Sequence, residues 1–136
     1  EVLTLLGTRR AFVVSGTDGL DEITLTGPTH VAESHHGTVT KYEIAPEIAG
    51  LQRAPREELL GGDAEVNAVI LRDVLSGKTG PHRDIVLLNA AAGILASHDD
   101  EADWRAAVQK AKESIDSGAA LAKLDALVDY SHRIVQ

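Results

Sequence analysis

The sequence contains no cysteine and no methionine. Without cysteine, disulfides and thiol chemistry are excluded, and the chain fits a cytoplasmic protein better than a secreted one. Without methionine, Glu1 does not read as a native start, and the chain is expected to begin mid-protein. Aromatic side chains are scarce, namely Phe12, Tyr42, Trp104 and Tyr130. A core must therefore be assembled from Ala, Val, Leu and Ile. Positive charge is also in short supply: 13 basic against 21 acidic residues give a net charge of −8. A field of that sign repels phosphate backbones. The nearest things to a basic patch, Arg9-Arg10 and Arg53 to Arg56, are short, so no nucleic-acid partner is expected. The longest stretch without a charged side chain, Ile85 to His98, is 14 residues. A membrane span needs about 20, so no membrane partner is expected, and no signal-peptide pattern is seen.

What is present fits one ordinary globular domain: 136 residues, 43% of them hydrophobic, enough to bury a modest core. Glu1 to Leu6 reads as a helix end closed by Gly7. Ala11 to Val14 reads as a buried strand. Ser15 to Leu20 is a loop whose glycines permit positive φ. Glu22 to Leu25 has the β-branched content of a second strand, interrupted by Gly27-Pro28. Thr29 to Ser34 and Thr38 to Ile44 flank His35-His36-Gly37 and form a hairpin at the sheet edge or surface. Ala45 to Gly62 is irregular, with at most a helical turn at Arg56 to Leu60.

The second half is helical. Asp63 caps a helix from Ala64 to about Ser76, ended by Gly77. Val66, Val69, Ile70, Leu71, Val74 and Leu75 surround most of its axis, which predicts a largely buried helix. The next helix, His82 to about Ser97 behind Pro81, carries one interior amide. If buried, Asn89 must find a hydrogen-bond partner. The acidic run Asp99 to Asp103 suits a helix N-terminus. Trp104, Val108, Ala111 and Ile115 then repeat at helical spacing up to Gly118. Leu121, Leu124, Leu127 or Val128, and Ile134 mark a last amphipathic helix. Strands followed by helices place the chain in the α/β class, and the strands are too few for a complete sheet.

Chemistry concentrates in Gly19 to Thr29, GLDEITLTGPT. Asp21 and Glu22 are hard oxygen donors suited to a divalent cation. Adjacent strand residues point to opposite faces, so the pair converges on one metal cluster only if the chain turns there. From the residues alone, a solvated acidic turn is the commoner explanation. TGPT either shapes that loop or ends the strand, with the structural role favoured. Gly61-Gly62-Asp63 resembles a phosphate-binding turn before a helix, but capping by Asp63 accounts for it. Adjacent histidines at a hairpin tip project poorly onto one ion, and nothing nearby in sequence supplies a third ligand, so His35-His36 is not expected to bind metal. Arg83 is expected to pair with an acid, Asp84 to complement a helix dipole, and no Ser-His-Asp arrangement is apparent.

Together, GLDEITLTGPT and the later GGDAEVNAVILRDVLSGKTGPHRDIVLLNAA resemble the C-terminal part of the anthranilate phosphoribosyltransferase family, over about Val2 to Leu127. The resemblance implies an α/β fold: part of a mixed, mostly parallel sheet with a β-hairpin, followed by several packed helices. It places residues 1–136 in the C-terminal part of the α/β domain, with the N-terminal helical domain absent. It implies Mg2+ as cofactor, held by Asp21 and Glu22 alongside phosphoribosyl pyrophosphate, and anthranilate as second substrate in tryptophan biosynthesis. It also implies a homodimer formed through the helical domain. The family's GTGGD and KHGN-type phosphate segments do not occur here, so this chain alone is expected to be inactive. Ser15 stands where many family members have a histidine before the first glycine of the loop, which leaves the substrate contacts there open. The alternatives are a non-catalytic binding module of the same fold and a pyrimidine nucleoside phosphorylase relative.

Overall fold

The computed structural model describes residues 1–100 and 102–134. A short helix α1 (Val2–Leu5) leads into three strands, β1 (Arg10–Gly16), β2 (Thr29–His35) and β3 (Thr38–Ile44). Two 3-10 turns follow, Pro46–Ala49 and Arg56–Leu59, inside the segment expected to be irregular. Four helices complete the chain: α2 (Ala64–Leu75), α3 (Pro81–Ala96), α4 (Trp104–Asp116) and α5 (Ala119–Ile134).

The sheet has the order β1-β2-β3, and both pairings are antiparallel. This corrects the expected mostly parallel sheet. Parallel neighbours need a crossover of a dozen or more residues, usually a helix, and no helix lies between these strands. The hairpin is as expected: His35 pairs with Thr38, and His36 and Gly37 at its tip have φ of 46° and 81°. Positive φ at both central residues matches the right-handed strand twist.

The strand expected at Glu22 to Leu25 does not form; these residues make a bend without a ladder. Ile23, Thr24 and Leu25 are nonetheless almost fully buried, which is what their apolar, β-branched pattern reported. Their backbone groups are satisfied by other means. The Asn89 amide accepts from the Ile23 N–H at 2.9 Å and donates to the Ile23 carbonyl at 2.8 Å. Thr24 N–H donates to Thr29 Oγ1 at 3.1 Å, and Ala54 N–H donates to the Leu25 carbonyl at 3.1 Å. Asn89 thus finds the partners its position demanded, including the Ile85 carbonyl at 3.0 Å.

The core lies between the sheet, this bend and the α3–α4 pair. It joins Ile23, Leu25, Val31 and Ile44 to Leu87, Leu88, Ala91, Leu95, Trp104, Val108 and Ile115. Trp104 meets Phe12 edge-on, with ring centroids 5.8 Å apart, the favoured aromatic geometry. The helical spacing in α4 was read correctly. In α5 the inward position is Val128, while Leu127 is 63% exposed. The side chain of Ile134 and residue Glu101 lie outside the described residues.

Helix α2 departs from expectation. Asp63 caps it, accepting from the Val66 N–H at 2.9 Å. But only Val74 is buried, while Val66, Val69 and Leu71 are 47%, 61% and 43% exposed. A helix apolar on most sides needs partners on most sides. Among the described residues α2 packs mainly against α3, α4 and α5, which leaves its other apolar faces bare.

A buried arginine ties the sheet to the α3–α4 connection. Arg10 donates through Nε to Glu33 Oε1 at 2.9 Å, and through Nη1 to the carbonyls of His98 at 3.2 Å and Asp100 at 2.8 Å. Tyr42 donates its hydroxyl to the other Glu33 oxygen at 2.7 Å. Burial, then the Glu33 carboxylate, pushes the Tyr42 phenol well above its ordinary value. Arg83, also buried, pairs with Asp116 at 2.6 Å as expected.

Candidate functional site

The segment from Gly16 to Thr29 connects β1 to β2 at one end of the sheet. Its organising residue is Asp18, which the sequence reading treated only as part of a solvated turn. Asp18 Oδ2 accepts from the Thr24 and Thr26 hydroxyls, each at 2.7 Å, and Oδ1 accepts from the Leu20 N–H at 3.2 Å. Burial opposes ionisation of this carboxyl, but the two hydroxyls and the backbone N–H together outweigh it and hold Asp18 below its ordinary value. Gly16 leaves room for this arrangement: a Cβ there would collide with the Asp18 carboxylate and press on Thr24. Gly19, at φ 91°, makes the turn. Thr17 Oγ1 donates to the Pro28 carbonyl at 2.9 Å and so closes the base of the loop. The TGPT segment therefore shapes this loop; the strand-ending role favoured from sequence does not apply, because no strand forms at Glu22 to Leu25.

Asp21 and Glu22 sit on the outside of this frame, in the bend. Because they are not in a regular strand, the alternation that would send neighbours to opposite faces does not apply. Asp21 is exposed and Glu22 half-buried. Burial first, then the negative charges of Asp21 and Asp18, push the Glu22 carboxyl above its ordinary value. Asp18 is consumed by the loop, whereas neither Asp21 nor Glu22 makes a side-chain hydrogen bond or ion pair among the described residues. The donor set is two hard carboxylates beside open solvent. Magnesium takes one or two carboxylates together with waters and substrate phosphates, so the donors present fit it.

The other residues weighed from sequence fall elsewhere. Gly61-Gly62-Asp63 works as a helix cap, with Asn67 Oδ1 accepting from the Gly62 N–H at 2.9 Å. Lys78, which the sequence did not single out, is paired with Asp73 at 2.8 Å. His35 and His36 lie at the opposite end of the sheet, since Gly16 pairs with Thr29 and Arg10 with His35.

The glycosyl transferase family, described by its a/b domain, matches residues 1–121, and the chain belongs to it. Within that family it is similar to the anthranilate phosphoribosyltransferase of Syntrophobacter fumaroxidans, 52% identical over 97% of this chain and 39% of that protein. It is also 55% identical to the enzyme of the same name from Azorhizobium caulinodans, over 93% of this chain and 37% of the relative. Among solved structures, the anthranilate phosphoribosyltransferase from Saccharomyces cerevisiae in complex with PRPP and Mg superposes with a TM-score of 0.79 at 32% identity, covering 87% of this chain and 34% of that one. The enzyme from Thermus thermophilus gives 0.76 at 38% identity, with 89% and 35% covered. The chain thus spans less than two-fifths of the length of the curated relatives it matches.

Proposed function

We propose that this chain is the C-terminal part of the α/β domain of an anthranilate phosphoribosyltransferase, and that Asp21 and Glu22 hold the magnesium that accompanies phosphoribosyl pyrophosphate. The observation that carries the reading is the pair of unengaged carboxylates on a loop whose third acid, Asp18, is fully committed to holding the loop's shape. In the reaction the amine of anthranilate attacks C1 of the ribose, and pyrophosphate leaves. Negative charge builds on the leaving group, and bound magnesium supplies the charge that stabilises it. Asp21 and Glu22 act as positioning ligands; neither serves as nucleophile or base. The Asp18–Thr24–Thr26 bonds fix the turn before them, and Asn89 fixes Ile23 directly after them, so both flanks of the pair are anchored. A cytoplasmic location and a homodimer belong to the same proposal. Among the described residues no helix is long and apolar enough to cross a membrane.

The test is steady-state kinetics of the full-length protein at varied Mg2+. Asp21→Asn and Glu22→Gln are each expected to lower kcat/KM roughly a hundredfold or more, the loss of several kcal/mol of charge stabilisation, with unchanged far-UV circular dichroism. In the same assay the 136-residue chain alone is expected to show no turnover. Wild-type kinetics and unchanged Mg2+ dependence in both folded variants would remove the carboxylates from the site.

A further inference from the structure

The two histidine rings at the hairpin tip lie side by side, which strand alternation alone would not give. In a regular strand their rings would face opposite ways. His36, however, has left the strand: its φ of 46° is left-handed. The turn swings its ring beside that of His35, with centroids 4.3 Å apart. The third group comes from the connection between α3 and α4, where Asp99 faces the tip, and one ligand atom from each of His35, His36 and Asp99 lies within 4.8 Å of the others. Nothing near the histidines in sequence pointed to Asp99, because only the docking of the hairpin on that connection brings them together.

We propose that His35, His36 and Asp99 form a binding site for a divalent transition ion of the zinc type. Two imidazoles and one carboxylate are a common protein ligand set for such an ion, with water in the fourth position. Magnesium and calcium prefer all-oxygen sets, which separates this site from the carboxylate loop in chemistry. It is separate in space as well. The seven residues of β1 lie between them, about 20 Å at strand rise. Tetrahedral zinc brings its ligand atoms to roughly 3.3 Å from one another, so from within 4.8 Å the three side chains need close by no more than about 1.5 Å. His36 and Asp99 are both exposed.

Two further features favour occupancy. His35 Nε2 is shut off from solvent and has no hydrogen-bond partner among the described residues. Buried ring nitrogens ordinarily have one, and coordination through Nε2 itself would supply it. The competing cation is weakly held: Arg9 Nη1 lies 3.4 Å from Asp99 Oδ2, with both side chains largely exposed, and such pairs are readily displaced. An ion bound here would staple the hairpin tip to the α3–α4 connection, beside the carbonyls that receive Arg10.

The experiment is calorimetric titration of tag-free full-length protein with Zn2+ in saturating Mg2+, alongside visible spectra with Co2+ as the probe. Wild type and Glu22→Gln are expected to bind one equivalent and to give a tetrahedral cobalt band. His36→Ala and Asp99→Asn, both at exposed positions, are expected to lose the band and at least about tenfold in Zn2+ affinity. The same stoichiometry and affinity in both variants, or no binding by folded wild type, would overturn the site. Loss of binding in Glu22→Gln with retention in His36→Ala would overturn it too, by assigning the ion to the carboxylate loop.

Discussion

Residues 22 to 26 and helix α2 invert one another. The bend is nearly all buried, yet its backbone is held by side chains from elsewhere, chiefly Asn89 and Thr29. Helix α2 satisfies its backbone internally, down to a side-chain cap at Asp63, yet leaves Val66 and Val69 in solvent. Apolar content decides what a segment would gain by being covered. Where the backbone hydrogen bonds go decides which conformation it adopts. In this chain the two are uncoupled.

The most severe way to break the comparison is Asn89→Leu. It removes all three amide bonds and strands the Ile23 N–H and carbonyl in a buried setting, so a loss of about 3 kcal/mol in folding stability is expected by denaturant unfolding. A midpoint close to wild type would show that the bend holds itself. Asp18→Asn is milder, about 1–2 kcal/mol at neutral pH for the weakened hydroxyl and N–H contacts. Its pH dependence has a definite sign. The folded carboxyl titrates below the ordinary 3.8, so its contribution is fully present above that value and is lost as pH falls through the lower folded one. The gap between wild type and Asp18→Asn should therefore narrow in acid, and a gap that is constant down to low pH would contradict the hydrogen-bonded carboxylate. The smallest effect belongs to α2. Val69→Ser, at a site 61% exposed, should change the stability of the 136-residue chain by no more than about 0.5 kcal/mol. A larger loss would mean that the helix face is covered in solution.

The same division explains what could be read from the residues beforehand. The hairpin was legible because HHG separates two alternating runs, and turn chemistry is local. The Asp63 cap and the α4 stripe were legible for the same reason, since a cap and a helical period need no information from elsewhere. Asn89 was legible as a question and not as an answer, because its partner, Ile23, is 66 residues away. The strand expected at Glu22 to Leu25 failed because β-branched, buried residues fit a ladder and a side-chain-supported bend equally well. The burial of α2 failed because periodicity describes a helix and says nothing of its neighbours. At the candidate site the carboxylate pair was visible, but the role of Asp18 was not, since its threonine partners lie beyond the turn. The convergence of His36 with Asp99 needed both a left-handed residue and a docked hairpin.

The guanidinium of Arg10 has a consequence for how the sheet finds its pairing. Sliding β1 by one residue against β2 would turn Arg10 to the other face and carry it away from Glu33 and from the carbonyls of His98 and Asp100, while Ala11 arrived in their place. A one-residue slip thus strands a charge that the native alignment satisfies. The arrangement adds little to the depth of the native state but separates it from its one-residue neighbours in register, in a three-stranded sheet with few aromatic landmarks.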